Sequence, residues 1–242
     1  MEAESKTLLN NKIDQFILRI DLTHDVAVDF KLLAEKLTAD YGDVRTELHL
    51  NYNIDIQKVE VKKEEFLKYI LGKAPQIALT LDTFERSIVL ESPHYDNNGV
   101  YKQRLSKIVA IIKEMQPEAS AQRIGMRYIN KFPCLKVSEI NKYFNTVEAN
   151  SIKSSLKLEN ISRTMMVHEY QFGDYQARVQ YGIPNKYYPS VISNYELVLD
   201  IDVFGLGVEG VDRWESSVRD YNHGAYDMFI RYIKPSLLGD LK

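Results

Sequence analysis

Two segments of this chain set like charges at strand spacing. In RIGMRYINK, residues 123–131, Arg123, Arg127 and Lys131 fall on one side of an extended chain, and Ile124, Met126 and Tyr128 on the other. In YELVLDIDVF, residues 195–204, Glu196, Asp200 and Asp202 share one side, while Leu197, Leu199, Ile201 and Val203 share the other. Successive strand side chains point to opposite faces, so both segments read as half-buried strands with a charged outer stripe. The two stripes have opposite sign.

Each stripe has a chemistry of its own. Guanidinium forks take phosphate oxygens two at a time. Strand spacing sets Arg123 and Arg127 roughly 13 Å apart, the span of a polyphosphate or of successive nucleotides. The carboxylates suit Mg²⁺ or Mn²⁺, which prefer oxygen ligands. Close like charges resist joint ionisation unless a cation is near, and that cation can equally be Arg127. The plainest alternative is that the stripes pair with each other, each cross-strand pair contributing roughly 0.2–1 kcal/mol. Gly125, between the arginines on the same face, marks a bulge or the close approach of a ligand. If the sheet closed into a barrel, Arg45, Glu47 and His49, or Gln176 and Arg178, would extend a polar lining.

Other motifs carry less. The histidines (24, 49, 94, 168 and 223) lack zinc-ligand spacing with each other or with a cysteine. His168 and Tyr170 share a strand face and together suit acid–base chemistry on RNA, although a hydrogen-bonded sheet histidine is the commoner case. Cys134 has no catalytic signature around it and reads as inert. The phosphate-binding glycine loop, the dinucleotide fingerprint and the nucleophile elbow are absent. GLGVEG at 205–210 reads as a turn.

The elements that must position these residues follow from periodicity. Residues 13–22 alternate as a strand, with Phe16, Leu18, Ile20 and Leu22 on one side. Asp25 is read as the cap of a helix carrying Val26, Phe30, Leu33 and Leu37, ended by Gly42. Residues 44–58 alternate as one long strand or a hairpin, and strands follow at 76–82 and 86–91. A helix at 99–115 stripes Tyr101, Leu105, Ile108, Ile112 and Met115. The pattern then restarts: a strand at 121–131, a short helix at 137–145, a polar loop at 146–160, and a hairpin over 162–183 turning at Gly173. The Pro184–Pro189 loop carries Tyr187 and Tyr188. After the strand at 195–204 comes a final helix with Trp214, Val218, Tyr221, Ala225, Met228 and Tyr232 at helical spacing, and Pro235 ends the regular part.

These elements predict an α+β protein, an antiparallel sheet with helices on one face, built as a duplicated strand–helix–strands–helix unit. The halves are expected at 10–118 and 119–242, packed as one compact unit. The 242 residues, 45% hydrophobic and 27% charged, suffice for a sizeable core. A net charge of −3 excludes nucleic-acid binding through bulk charge, so such binding would need a local patch. One cysteine excludes an intrachain disulfide and points to a reducing, cytoplasmic setting. No segment is apolar enough for a membrane span or patterned as a signal peptide, so no membrane partner is expected.

The segment RIGMRYIN, the strand LVLDIDVF and the last helix with His223 and Phe229 together resemble a sporadically distributed prokaryotic family without an assigned reaction. Arg123, Gly125, Arg127, Tyr128 and Asn130 match its basic strand, and Leu199, Asp200, Ile201, Asp202 and Phe204 its acidic one. The resemblance implies a mobile or defence-type genomic setting. The expected function is a non-catalytic binding or accessory protein. Arg123, Arg127 and Lys131 would engage a phosphate-bearing small molecule, nucleic acid or protein partner, with Tyr187 and Tyr188 as an apolar rim. The alternative is an enzyme on nucleotides or RNA using Mg²⁺ or Mn²⁺ at Glu196, Asp200 and Asp202.

Overall fold

A computed structural model describes residues 13–55, 60–72, 77–93, 95, 99–158 and 160–241. Alternation in the sequence becomes nine strands: β1 (Ile13–Leu22), β2 (Val44–Asp55), β3 (Glu60–Leu71), β4 (Ala78–Asp82), β5 (Ser87–Ser92), β6 (Ser120–Phe132), β7 (Thr164–Phe172), β8 (Tyr175–Ile183) and β9 (Leu197–Gly210). They form one open sheet, every pair antiparallel, in the order β2-β3-β4-β5-β1-β6-β9-β8-β7. The helices are α1 (Phe30–Tyr41), α2 (Gly99–Met115), α3 (Ile140–Tyr143), α4 (Thr146–Ser155), α5 (Trp214–Tyr232) and α6 (Pro235–Leu241). The expected α+β class, with helices against an antiparallel sheet, is what forms.

The strand order runs similarly in the two halves of the chain, with five strands in the first and four in the second. In each half the first strand lies at the centre, a helical segment follows, and a meander returns from the outer edge to pair with that first strand. This gives β1-β5-β4-β3-β2 on one side and β6-β9-β8-β7 on the other, joined where β1 and β6 pair. A long helix ends each half, α2 and α5.

One face of the sheet makes the core. Phe16, Leu18 and Ile20 of β1, Ile124 and Met126 of β6, and Leu199, Ile201 and Val203 of β9 are buried there. Against them pack the apolar stripes of the helices. Trp214, Val218, Tyr221, Ala225, Met228 and Tyr232 of α5 are all buried, as the spacing requires. Burying one large apolar side chain is worth about 1.5–3 kcal/mol, so this stripe fixes α5 across β6 and β9.

Several local readings are corrected. Asp29, not Asp25, caps α1: its carboxylate accepts from Leu32 N–H at 3.0 Å. Both sites carry an aspartate before an apolar run, and only the start of the packed stripe distinguishes them. Residues 60–71 form β3, which its KKEE run conceals. Residues 146–155 form α4 rather than a loop, because burial of Ala149 and Ile152 outweighs a polar composition. Pro235 opens α6 at the position where a missing N–H costs nothing. Residues 205–210 continue β9 with a bulge against β6 instead of turning. The sheet is open, so Arg45, Glu47 and His49 on β2 do not close a lining with Gln176 and Arg178 on β8.

Candidate functional site

Directly opposed residues of an antiparallel pair share a face. The register therefore assembles rows of side chains across the helix-free face. One row runs Glu91, Ile17, Arg127, Asp202, Arg178, Glu169 over six strands. Another runs Glu47, Lys68, Asp82, Ser87, Asp21, Arg123. The basic stripe of β6 and the acidic stripe of β9 are adjacent.

The side chains pair within and between these rows. Arg127 makes a fork to Asp200, Nε and Nη2 donating at 2.8 and 2.6 Å. Arg123 Nη2 donates to Asp202 at 3.1 Å, and its Nη1 stands 3.9 Å from Asp21. Arg19 donates to Asp21 at 2.6 Å and to Glu85 at 2.9 Å. Lys131 meets Asp14 at 2.6 Å, and Arg178 lies 3.8 Å from Glu169. Glu85, Arg19, Asp21, Arg123 and Asp202 thus form one alternating chain, with the Arg127–Asp200 fork beside it.

Gly125 is explained by this geometry. Asp202 lies opposite Arg127, so Arg123 must recline over Gly125 to reach it, its guanidinium 4.9 Å from the centre of the Phe204 ring. A Cβ at position 125 would stand 3.1 Å from both Arg123 Nη2 and Phe204 Cβ. The group that lies close over Gly125 is the protein's own Arg123.

The environment differs between the two aspartates. Burial raises the Asp202 carboxyl above the ordinary range, despite Arg123 and Arg127 nearby. The hydrogen bonds to Asp200 raise the Arg127 guanidinium further and hold it charged. Asp200 is buried, while the Arg127 side chain keeps 41% exposure and is the most accessible arginine of the central strands. In this cluster Arg19, Arg123, Arg127 and Arg178 are set against Asp21, Glu85, Glu169, Asp200 and Asp202, so carboxylates outnumber guanidiniums by one.

The remaining expected residues fall elsewhere. Glu196 precedes β9, and among the described residues no three carboxylate, imidazole or thiol groups come together to hold a metal ion. Tyr187 and Tyr188, both more than half exposed, sit in the loop after β8, beyond the Lys131 end of the face. That loop starts about 20 Å along β8 from the Arg127 row, so the tyrosines flank the Lys131 end and do not surround Arg123. There Lys186 lies over the Tyr187 ring and Arg163 over that of Tyr188, while the Asn185 amide ties the loop to Ser162 and Ser190 carbonyls. His168 and Tyr170 do share a face, the core side. There Tyr232 of α5 bonds both, to His168 Nδ1 and to the Tyr170 hydroxyl, each at 2.6 Å. Cys134 is buried, and burial pushes its thiol up, away from reactivity.

Sequence reasoning passed over Arg19, Asp21 and Glu85. The signal for Arg19 and Asp21 was the alternation of β1, which sets them opposite the core residues; Glu85, in the turn between β4 and β5, carried none. Their membership in the cluster depends on β1 lying beside β6.

Among the described residues no helix is long and apolar enough to cross a membrane. Comparisons with protein-family models, with curated proteins and with solved structures return no match for this chain.

Proposed function

We propose that the protein is a non-catalytic binding module whose helix-free sheet face engages a protein partner. The observation that carries this reading is the cross-sheet row of alternating charge around Arg127, Asp202 and Arg178, which has no helix above it among the described residues. The paired array has little spare positive charge for a phosphate group, since every central arginine already meets a carboxylate. It is better matched to a surface of mixed charge, where complementary potentials set register and partner choice. Arg127 and Arg178, the two arginines of the row, both keep side-chain exposure and would form the contacts. Lys131 and the Tyr187–Tyr188 loop would extend the surface at one end. The mobile or defence-type setting implied by the family resemblance is part of this proposal.

The test pairs a thermal-shift screen with partner capture. Nucleotides, polyphosphate and short RNA and DNA are screened with and without Mg²⁺ or Mn²⁺. A ligand at ~100 times its dissociation constant adds about 2.7 kcal/mol, a visible rise in midpoint. The expected result is no shift, together with a captured protein that, once purified, binds wild type and loses affinity with Arg178→Glu. A midpoint shift that requires metal would transfer the reading to a nucleotide- or RNA-directed enzyme. A metal-independent shift abolished by Arg127→Ala would make the ligand a phosphate compound.

A further inference from the structure

The β2–β3 hairpin reaches beyond the sheet that carries it. β3 pairs with β2 from Glu60 to Leu71, but with β4 only from Lys68 to Leu71. The turn after β4 ends that contact: Leu67 N–H donates to Thr83 Oγ1 at 2.8 Å, and Thr83 N–H to the Leu67 carbonyl at 3.0 Å. Past this point His49–Asp55 and Glu60–Phe66 run as a two-stranded ribbon, about 23 Å long at strand rise. A two-stranded ribbon alone is marginal in water.

The ribbon also carries apolar surface where none is needed for its own fold. Val44, Thr46, Leu48, Leu50 and Tyr52 continue the core face outward along β2. Leu48 is 55% exposed, Leu50 44% and Tyr52 55%. Across from Leu50 and Tyr52, β3 presents Glu65 and Lys63, which pair with each other at 2.6 Å. The apolar stripe therefore lies along the sheet edge, backed by Leu71, Tyr69 and Leu67 at one end and by a charged rim at Leu50 and Tyr52. The opposite edge strand, β7, is treated differently: α4 packs against it and Tyr232 holds its His168 and Tyr170. Sheet edges are ordinarily blunted by charge, proline or a covering element; β2 carries its charge, Arg45 and Glu47, on the other face, and the stripe face shows none of these among the described residues.

The backbone of β2 is set for pairing. Leu67 turns its N–H and C=O toward Thr83, away from β2. Its opposite number Leu48 must then direct its own groups outward from the sheet, and by alternation so must Thr46 and Leu50.

We infer that β2 is a homodimerisation edge: two copies of this chain pair their β2 strands antiparallel about a two-fold axis at Leu48. The partner is a second copy because β2 is complementary to itself in this register. Leu48 then faces Leu48 of the other copy, Thr46 faces Leu50, and Val44 faces Tyr52. On the opposite side of the ribbon Glu47 meets His49 of the other copy, twice by symmetry. In one chain the row already alternates Arg45, Glu47, His49, with Glu47 3.8 Å from Arg45 and 3.9 Å from His49. The apolar stripes of the two copies merge into one strip, bounded on both sides by a Lys63–Glu65 pair. An apolar centre with a charged rim is the usual anatomy of a stable interface, and an isologous pairing closes without leaving a further edge of the same kind. This edge lies at the far side of the sheet from the Arg127–Asp202–Arg178 row proposed for the partner, and the two readings stand or fall independently.

The test is the mass in solution of the full chain, by light scattering and sedimentation from low to high micromolar concentration. Wild type is expected as a dimer. Leu50→Glu should give a monomer whose circular dichroism is unchanged, since Leu50 is exposed in the single chain. Glu47→Lys should raise the dimer dissociation constant roughly tenfold, by setting Lys against His49 and beside Arg45. Adding His49→Glu to Glu47→Lys should restore it, because the swap recreates the opposed pair. A monomer at every concentration overturns the inference. So does a dimer indifferent to Leu50→Glu, and a charge swap that fails to restore pairing overturns the register.

Discussion

Arg127 bypasses the carboxylate opposite it. Asp202 is its register partner, yet the guanidinium forks onto Asp200, at 2.8 and 2.6 Å, and leaves Asp202 to Arg123. Each arginine of β6 therefore leans the same way along the strand, and Gly125 is the space over which the first one leans.

The fork makes Asp200 and Asp202 unequal. Asp200→Asn deprives Arg127 of a two-bond charged acceptor and should cost about 1–3 kcal/mol in urea unfolding. Asp202→Asn replaces a carboxyl whose burial already opposes its charge, and should cost less than about 1 kcal/mol. Equal losses for the two variants would contradict this assignment.

The same contrast has a pH signature. The folded-state pKa of Asp202 is raised, chiefly by burial, so the folded protein binds its proton before the unfolded chain does. Its charged form destabilises at neutral pH, and stability is regained as pH falls through the folded value toward the ordinary one. Asp82 is the reverse case. Burial pushes its carboxyl up, but the Glu85 and Phe84 amides and Lys68 together pull it lower. Its stabilisation is present above the ordinary aspartate pKa and is lost as pH falls below it. Difference curves of stability against pH for Asp202→Asn and Asp82→Asn should therefore have opposite slopes on the acid side.

Two glycines should respond very differently to alanine. At Gly125 the added methyl meets the movable end of Arg123 and Phe204 Cβ at 3.1 Å, and a loss of about 1 kcal/mol is expected. At Gly205 the methyl would run into the Tyr221 hydroxyl of α5, inside any tolerated contact. Gly205→Ala should lower the thermal midpoint far more. Tyr221→Phe in the same chain should recover part of the loss by removing the clashing oxygen. Additive losses would show that Tyr221 is not the obstacle.

Tyr232 ties the edge strand to the last helix. Its hydroxyl bonds both His168 and Tyr170, and burial raises its pKa well above the ordinary phenol value. Tyr232→Phe leaves two polar groups without that partner, and a cost of about 1–2 kcal/mol is expected. Hydrogen exchange should then quicken at β7 more than at β1. Uniform exchange across the sheet would remove this role.

Much of the fold was legible because its signals are local. The alternation in β1, β6 and β9 fixes which side chains face the core, and the four–three spacing of α5 fixes its buried stripe. The elements that escaped lacked a local signature. β3 hides an apolar alternation under Lys62, Lys63, Glu64 and Glu65, and α4 is helical with a stripe of only Ala149 and Ile152. The charged stripes were visible residue by residue. Their meaning was not, because a strand's own sequence does not name its neighbour.

The sequence alone determined the two charged stripes and the apolar stripes of the strands and of the last helix, since each follows from the period of one segment. Only the tertiary structure decided that β6 lies between β1 and β9. That adjacency turns Arg123, Arg127, Asp200 and Asp202 from candidate ligand groups into partners of one another, brings in Arg19 and Asp21, and leaves β2 at an edge with its apolar stripe uncovered. Pairing between distant strands is set by the joint burial of all their apolar faces, a property of the whole sheet that no single segment carries.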